Sequence, residues 1–259
     1  MINLQLSLVS HYGKKPGDLA KFITLLQDKL SENLLSAFLP YATEQVHGTV
    51  IGLETLPVSN GFISKWFEQN KGKAEPVDFK QLLHFLRTGI DDIVIKIGGY
   101  RQQKKYPFAS RNEHPFIRSF SLNGDIAVTI GWPIKAMNNT NWTDSLYRLR
   151  KKFETINFCH KWNKDGYADN DFFFVLGRID TARTDPSQLE KTSTELRNLL
   201  ARSDFRITIR KDTLSLVAYL DSQLPLSTTK QYALDNTQLS GDYLNHLCKQ
   251  KIIDFLKSP

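Results

Sequence analysis

Gln45-Val46-His47-Gly48-Thr49-Val50-Ile51-Gly52-Leu53 is the stretch that decides how the chain is read. Its β-branched and apolar residues predict a buried strand over 45–53. Side chains two apart on a strand point to the same face, so His47 and Thr49 project side by side. An imidazole moves a proton near neutral pH. A hydroxyl two residues away donates a hydrogen bond to a phosphate oxygen. Together they suit a phosphodiester or a 2′,3′-cyclic phosphate. Four residues of this form also recur by chance, and a strand histidine is more often an ordinary one, so the surroundings have to decide.

Working outward, residues 2–9 alternate Ile2, Leu4, Leu6 and Leu8 and predict a strand. Asp18 reads as the N-cap of an amphipathic helix with Leu19, Phe22, Ile23, Leu26 and Leu30 on one stripe. The stretch 57–76 is mixed, with helix expected around 63–67, and a second amphipathic helix starts after Asp78. Residues 93–97 predict a strand ending at Gly98-Gly99, too sparse a glycine pair for a phosphate-cradling loop. Strands at 116–122 and 126–132 flank Asn123-Gly124, a strong hairpin signal. Helix is expected over 144–158, with Arg and Lys on its polar face, strand over 171–179 and helix over 186–202. Strands at 205–210 and 213–220 read as a pair turning at Lys211-Asp212, and a helix over 242–256 closes the chain. Helices alternate with strands, yet the hairpins are antiparallel. The pattern predicts an α+β fold with mixed or antiparallel sheets and flanking helices.

The composition sets bounds. At 259 residues, 41% hydrophobic and with 16 Phe, the chain can bury a real core. One two-lobed domain over 1–259 is expected, with no Pro- or Ser-rich linker inside it. The formal net charge of +7 suits a polyanionic partner such as RNA or a nucleotide, and equally a solvated basic surface. No apolar run approaches the ~20 residues of a membrane span. The N-terminal stretch lacks the pattern of a signal peptide, so a cytoplasmic chain with no membrane contact is expected. Cys159 and Cys248 are the two cysteines, and neither lies in a CxxC or Cys/His cluster. No disulfide, metal or cofactor is expected.

The chain resembles the two-histidine phosphoesterases, which include the LigT-like RNA 2′,3′-cyclic phosphodiesterases. The resemblance rests on the opening strand and helix, on the strand bearing His47-Gly48-Thr49, and on Phe173-Phe174-Val175-Leu176-Gly177-Arg178 where that family has a second such strand. The helix over 186–202, Phe205-Arg206-Ile207-Thr208-Ile209, the segment from Leu214 to Pro225, and Tyr232 complete it. The Asn123-Gly124 hairpin and Trp132 suit the family's middle strands. The resemblance implies a two-lobed, pseudo-symmetric α+β fold, with strands 45–53 and 172–179 close together.

It also implies chemistry at His47 and Thr49, with one histidine taking a proton and a second protonating the leaving oxygen. Here the second histidine position aligns with Phe173 and the second hydroxyl position with Val175. His160 lies upstream, beyond a glycine-containing loop. Loss of one proton-transfer group removes about 10²–10⁴-fold in rate. A divergent member that binds RNA or a nucleotide, with lost or altered catalysis, is therefore the first expectation. An active phosphodiesterase using His47 and a non-standard acid is the second, and a protein-interaction domain is the third. Arg178, His114, Arg118, Tyr12 and Trp132 are the candidate ligand-binding residues. For each there is also an ordinary role: a strand-end cation, a loop histidine, a basic loop residue, a turn residue, a core tryptophan. Arg118 belongs to a basic stretch with Arg101, Lys104, Lys105 and Arg111, interleaved with Tyr100, Tyr106 and Phe108, which reads as an exposed loop with a hydrophobic anchor or as an RNA-binding loop.

Overall fold

The computed structural model describes residues 4–163, 168–250 and 252–257. Ile2 of the expected first strand and residues 164–167 of the loop after His160 lie outside that set. In chain order the elements are β1 (Gln5–Ser10), α1 (Gly17–Leu34), β2 (Phe38–Pro40), β3 (Gly48–Gly52), β4 (Thr55–Val58), β5 (Gly61–Ser64), α2 (Lys65–Lys71), α3 (Phe79–Thr88), β6 (Ile93–Ile97), α4 (Pro115–Arg118), β7 (Phe120–Asn123), β8 (Ile126–Ala136), β9 (Asn139–Trp142), α5 (Ser145–Lys152), β10 (Phe172–Ile179), α6 (Pro186–Ala201), β11 (Phe205–Ile209), β12 (Leu214–Tyr219), β13 (Thr229–Ala233), α7 (Gly241–Lys249) and α8 (Ile252–Lys257).

Apart from the β4–β5 hairpin, the strands join one sheet in the order β11-β6-β8-β10-β3-β1-β12-β13, with β2 also on β10 and β7 and β9 also on β8. Every pairing is antiparallel. The α+β expectation holds, and the sheet is antiparallel rather than mixed.

The stripe predicted on α1 forms: Leu19, Phe22, Ile23, Leu26 and Leu30 are all buried. They join a core that runs through both halves of the sheet, from Leu4 to Phe255. α1 packs against α6, and α3 against α7. The other side of the sheet carries two smaller apolar clusters. Val9, Tyr12, Val217, Tyr219 and Leu224 form one. Tyr100, Val128, Ile130 and Trp132 form the other, with Phe173 and Val175 packed against it.

β3 and β10 are neighbours at the middle of the sheet, paired through Gly48 and Phe174. Antiparallel register then sets His47 across from Val175 and Thr49 across from Phe173. Gly48 is required at this crossing, because a Cβ there would lie 1.9 Å from Cζ of Phe172.

Several expectations are corrected. The strand expected at 45 starts at Gly48, after a turn over 43–45. α1 begins at Gly17 with Pro16 at the cap position; Asp18 lies in the first turn and accepts from the Leu19 N–H. Ile63 and Ser64 are strand residues, and Ser64 caps α2 by accepting from the Phe67 N–H. Residues 115–118 form a helical turn, so the hairpin strand starts at Phe120. Asn123 pairs with Ile126, which places Gly124-Asp125 at the hairpin tip, with Gly124 at φ +63°.

The largest correction concerns 205–220. β11 pairs with β6, and β12 pairs with β1 and β13, so the two are not a hairpin. Only residues 210–213 join them. Five Cα steps reach at most ~18 Å. Six strand spacings in a flat sheet would need ~29 Å. The sheet therefore curls, and this link crosses between its ends.

Candidate functional site

His47 stands two residues past the 43–45 turn, immediately before β3. Its Nδ1 lies 2.7 Å from the Gln45 carbonyl oxygen. A carbonyl only accepts, so Nδ1 carries the hydrogen and Nε2 keeps its lone pair. The ring meets Tyr12 edge-on, with centroids 5.6 Å apart. Burial lowers the ring's pKa, outweighing the Gln45 carbonyl, which favours the charged form; the Lys15 charge lowers it further. His47 is thus a neutral base near pH 7.

Behind this motif lies Arg150, buried to zero exposure with its partner Asp169. Its Nε donates to the Val50 carbonyl at 2.8 Å, and its Nη2 to the Thr49 and Asp171 carbonyls at 3.3 and 3.1 Å. Its Nη1 meets the Asp169 carboxylate at 3.1 Å. One guanidinium therefore ties β3 to the start of β10. Arg150 was expected on the polar face of its helix. It is buried because these carbonyls and one carboxylate satisfy it, as a buried charge requires. Burial would raise the Asp169 carboxyl, but Arg150 and the His160 ring prevail and bring it to about 2.

His47 and Thr49 line a cavity of about 270 Å³, with Phe173, Val128 and Ile130 on its apolar wall. Arg111, Arg118, His160, Lys161 and Trp162 line another side. Ser7, Glu54, Trp66 and Tyr219 complete it. Glu54 is held in place there, accepting from Trp66 Nε1 at 2.6 Å and from the Tyr219 hydroxyl at 3.2 Å. Cations and indoles alternate along the basic wall. Lys161 Nζ sits 5.2 Å from the Trp66 ring and 5.0 Å from the Trp162 ring, and the Arg111 guanidinium carbon is 4.8 Å from Trp162. The ring faces stabilise these cations at the cavity, and Asp171 faces Arg111 as well, its Oδ2 4.0 Å from the Arg111 Nε.

His160 Nε2 donates to Asp169 Oδ2 at 2.8 Å, while its buried Nδ1 has no partner among the described residues. Burial, then the Arg150 charge, lowers the ring's pKa to about 4.

The predicted ligand residues divide. Arg118 reaches the cavity but is half committed, with Nη2 3.3 Å from Asp171 Oδ2 and Nε donating to Ser110 Oγ at 3.2 Å. Tyr12 lies behind His47 with its hydroxyl donating to the Leu224 carbonyl at 3.0 Å, so it supports the ring rather than lining the cavity. Trp132 is buried, donating to Asp171 Oδ1 at 2.7 Å within the aromatic cluster, and does not reach the cavity. His114 caps α4 through Nδ1, and its Nε2 donates to the Lys104 carbonyl at 2.8 Å, which makes it a structural residue. Arg178 is exposed beyond a bulge in β10 and paired with Asp125 on the hairpin tip, away from the cavity. Of the basic stretch, Arg111 and Arg118 reach the site, while Tyr100, Tyr106 and Phe108 pack as its anchor.

Trp66, Trp162, Lys161 and Glu54 were missed. Lys161 and Trp162 are adjacent, but Glu54 and Trp66 lie about a hundred positions earlier with no spacing that links the two groups, so only the fold assembles them. Among the described residues, no group of three or more His, Cys, Asp or Glu side chains is placed to hold a metal ion, both cysteines are free, and no helix is long and apolar enough to cross a membrane.

No protein-family profile matches the chain, and no curated protein matches it. Among solved structures it is similar to TT0787 of Thermus thermophilus, at 12% identity and TM-score 0.38 over 89% of this chain and 95% of that one. It is also similar to Usb1 of Kluyveromyces marxianus, at 9% identity and TM-score 0.37 over 90% and 98%. The Usb1 structure with uridine monophosphate is matched at 9% identity and TM-score 0.38 over 89% and 98%. At these identities and scores, the reading of the site rests on its own residues.

Proposed function

We propose that the chain is a divergent two-histidine phosphoesterase-like protein whose cavity binds a nucleotide or RNA phosphate, with little or no turnover near neutral pH. The observation that carries this reading is the Gly48–Phe174 pair at the sheet centre. Around it, one strand offers an imidazole and a hydroxyl, and the facing strand offers Phe173 and Val175. Phosphodiester cleavage needs a base on one side of phosphorus and an acid on the other. The base is present as His47. The acid position holds a phenyl ring.

His160 is the specific alternative, since it lines the same cavity and its Nδ1 has no partner among the described residues. With its pKa lowered to about 4, roughly one ring in a thousand is protonated at pH 7. The cavity then has two neutral bases and no histidine acid, which favours binding over turnover. Arg111, Lys161 and Trp162 supply charge and a ring face for a phosphate and a base.

The test measures 2′,3′-cyclic nucleotide hydrolysis and binding side by side. Wild type is expected to bind, reported by quenching of Trp66 and Trp162, and to hydrolyse at the blank rate. Arg111→Ala weakens binding. Phe173→His with Val175→Thr is expected to raise hydrolysis, by up to about 10²-fold. Robust wild-type turnover lost in both His47→Ala and His160→Gln would replace this reading with the active-enzyme one. No binding by wild type at low salt would remove nucleotides from consideration.

A further inference from the structure

A second cavity is lined in part by Tyr12, the residue whose ring meets His47. The strand β1 ends at Ser10, and the chain turns through His11 at φ +59° and Gly13 at φ +81° before α1 begins. His11, Lys14 and Lys15 from this turn, with Arg210 from the β11–β12 link, line the cavity. His11 is 8% exposed, and its Nε2 has no hydrogen-bond partner among the described residues. The Thr208 backbone beside the ring favours its charged form. The unsatisfied nitrogen is a buried polar atom that a ligand would complete. Lys15 Nζ is held by two carbonyls, Gly13 at 2.8 Å and Glu44 at 3.1 Å, rather than by a carboxylate. Asp212 also lines the cavity, but its carboxylate is engaged by Arg210 Nε at 2.6 Å. Three basic side chains therefore face one engaged acid, and burial lowers Lys15 to about 8, so its charge is complete only below that pH. The N-terminus of the 18-residue α1 opens beside them, with no side-chain cap from Pro16.

We infer that this cavity is a second oxyanion site, built to take a phosphate group. It shares no catalytic residue with the main cavity, so it holds whichever way that cavity is read. Bound oxyanion would receive hydrogen bonds from Lys14, Lys15 and Arg210. Protonation of His11 would add a donor at Nε2. Burial, then the Lys15 charge, lowers His11 to about 4; Arg210 lowers it further, and Asp212 raises it. An incoming anion favours both the charged Lys15, which burial lowers to about 8, and the imidazolium of His11, so binding takes up protons and tightens as pH falls.

The experiment is a histidine NMR titration of the whole chain at low ionic strength. Inorganic sulfate is the first probe, because its charge is constant across the pH range; inorganic phosphate and a 5′-phosphorylated oligouridylate follow. The His11 ring signals are expected to shift saturably with sulfate and more tightly at pH 5.5 than at pH 8. Lys14→Ala with Arg210→Ala, both on exposed side chains, is expected to weaken binding about tenfold, the loss of charge-assisted contacts. A His11 response to free anion alone assigns a small-anion site. A joint His11 and His47 response to the oligonucleotide assigns the phosphate to a chain that spans both cavities. No saturable His11 shift with any probe would overturn the site. So would a response at His47 alone that the double variant leaves unchanged.

Discussion

Two tripeptides face each other across the centre of the sheet, His47-Gly48-Thr49 on one half and Phe173-Phe174-Val175 on the other. Their middle residues do the same structural work in complementary ways. Gly48 leaves room for the Phe172 ring, and Phe174 fills the core beside it. Their flanking residues face the same side of the sheet, yet one pair is polar and the other apolar. Backbone pairing and core filling are thus set by the inward residues, while proton transfer depends on the outward ones. One half can keep the geometry of a catalytic strand with none of its chemistry.

Acid is expected to strain this arrangement most, because it reaches histidines in both halves. His11, at the end of β1, His47, just before β3, and His160, in the segment leading to β10, are each held at about 4 by burial against an ordinary value of 6.5. The folded pKa lies below the unfolded one, so the folded state requires neutral rings. Stability is full above about pH 6.5 and falls as the pH drops toward 4, with the unfolded chain holding up to about three more protons near pH 5. The loss is on the order of several kcal/mol over that range. Urea unfolding at stepped pH checks it; a midpoint that stays level from pH 7 to 4.5 would refute the enclosure of these rings.

The tie between the halves comes next. Arg150 reaches carbonyls of both β3 and the start of β10 from a position with no exposure. Arg150→Met is expected to cost about 3–5 kcal/mol, since Asp169 would remain buried and charged without its main partner. His160 should titrate higher in that variant, because the Arg150 charge that depresses it is gone. A small loss of stability with an unmoved His160 would show that the halves are joined elsewhere.

These two effects also mark where the sequence stops being readable. Periodicity located the helices because burial follows a stripe, as on α1 and α3. It located β3 and β10 as neighbours only through the resemblance between two short strands. It mistook 205–220 for a hairpin because strand sequences carry no label for a distant partner, and β11 finds β6 while β12 finds β1. It put Arg150 in solvent because a cation on an amphipathic helix is usually exposed, and the carbonyls that satisfy it come from residues about twenty and a hundred positions away. His47 and Thr49 were legible as a pair because strand alternation is local. The indole and lysine wall was not, since Lys161 reaches the Trp66 ring only when the fold brings together residues about a hundred positions apart.

The smallest expected effect separates the two motif strands most directly. Arg178 follows Phe173-Phe174-Val175 and completes the match to a motif strand in sequence, which made it a candidate phosphate ligand. β10 shifts register between Val175 and Gly177, and Arg178 emerges on the outside, half exposed and paired with the equally exposed Asp125. Surface pairs of this kind contribute about 0–1 kcal/mol. Arg178→Ala is therefore expected to change stability by less than about 0.5 kcal/mol. It should leave nucleotide affinity within error of wild type, in contrast to Arg111→Ala, whose side chain lines the cavity. Measuring both variants against the same cyclic nucleotide isolates the role of the bulge. A loss of binding in Arg178→Ala equal to that in Arg111→Ala would mean that β10 turns its cation inward when ligand arrives, and the two halves would then be more alike in the bound state than in the free one.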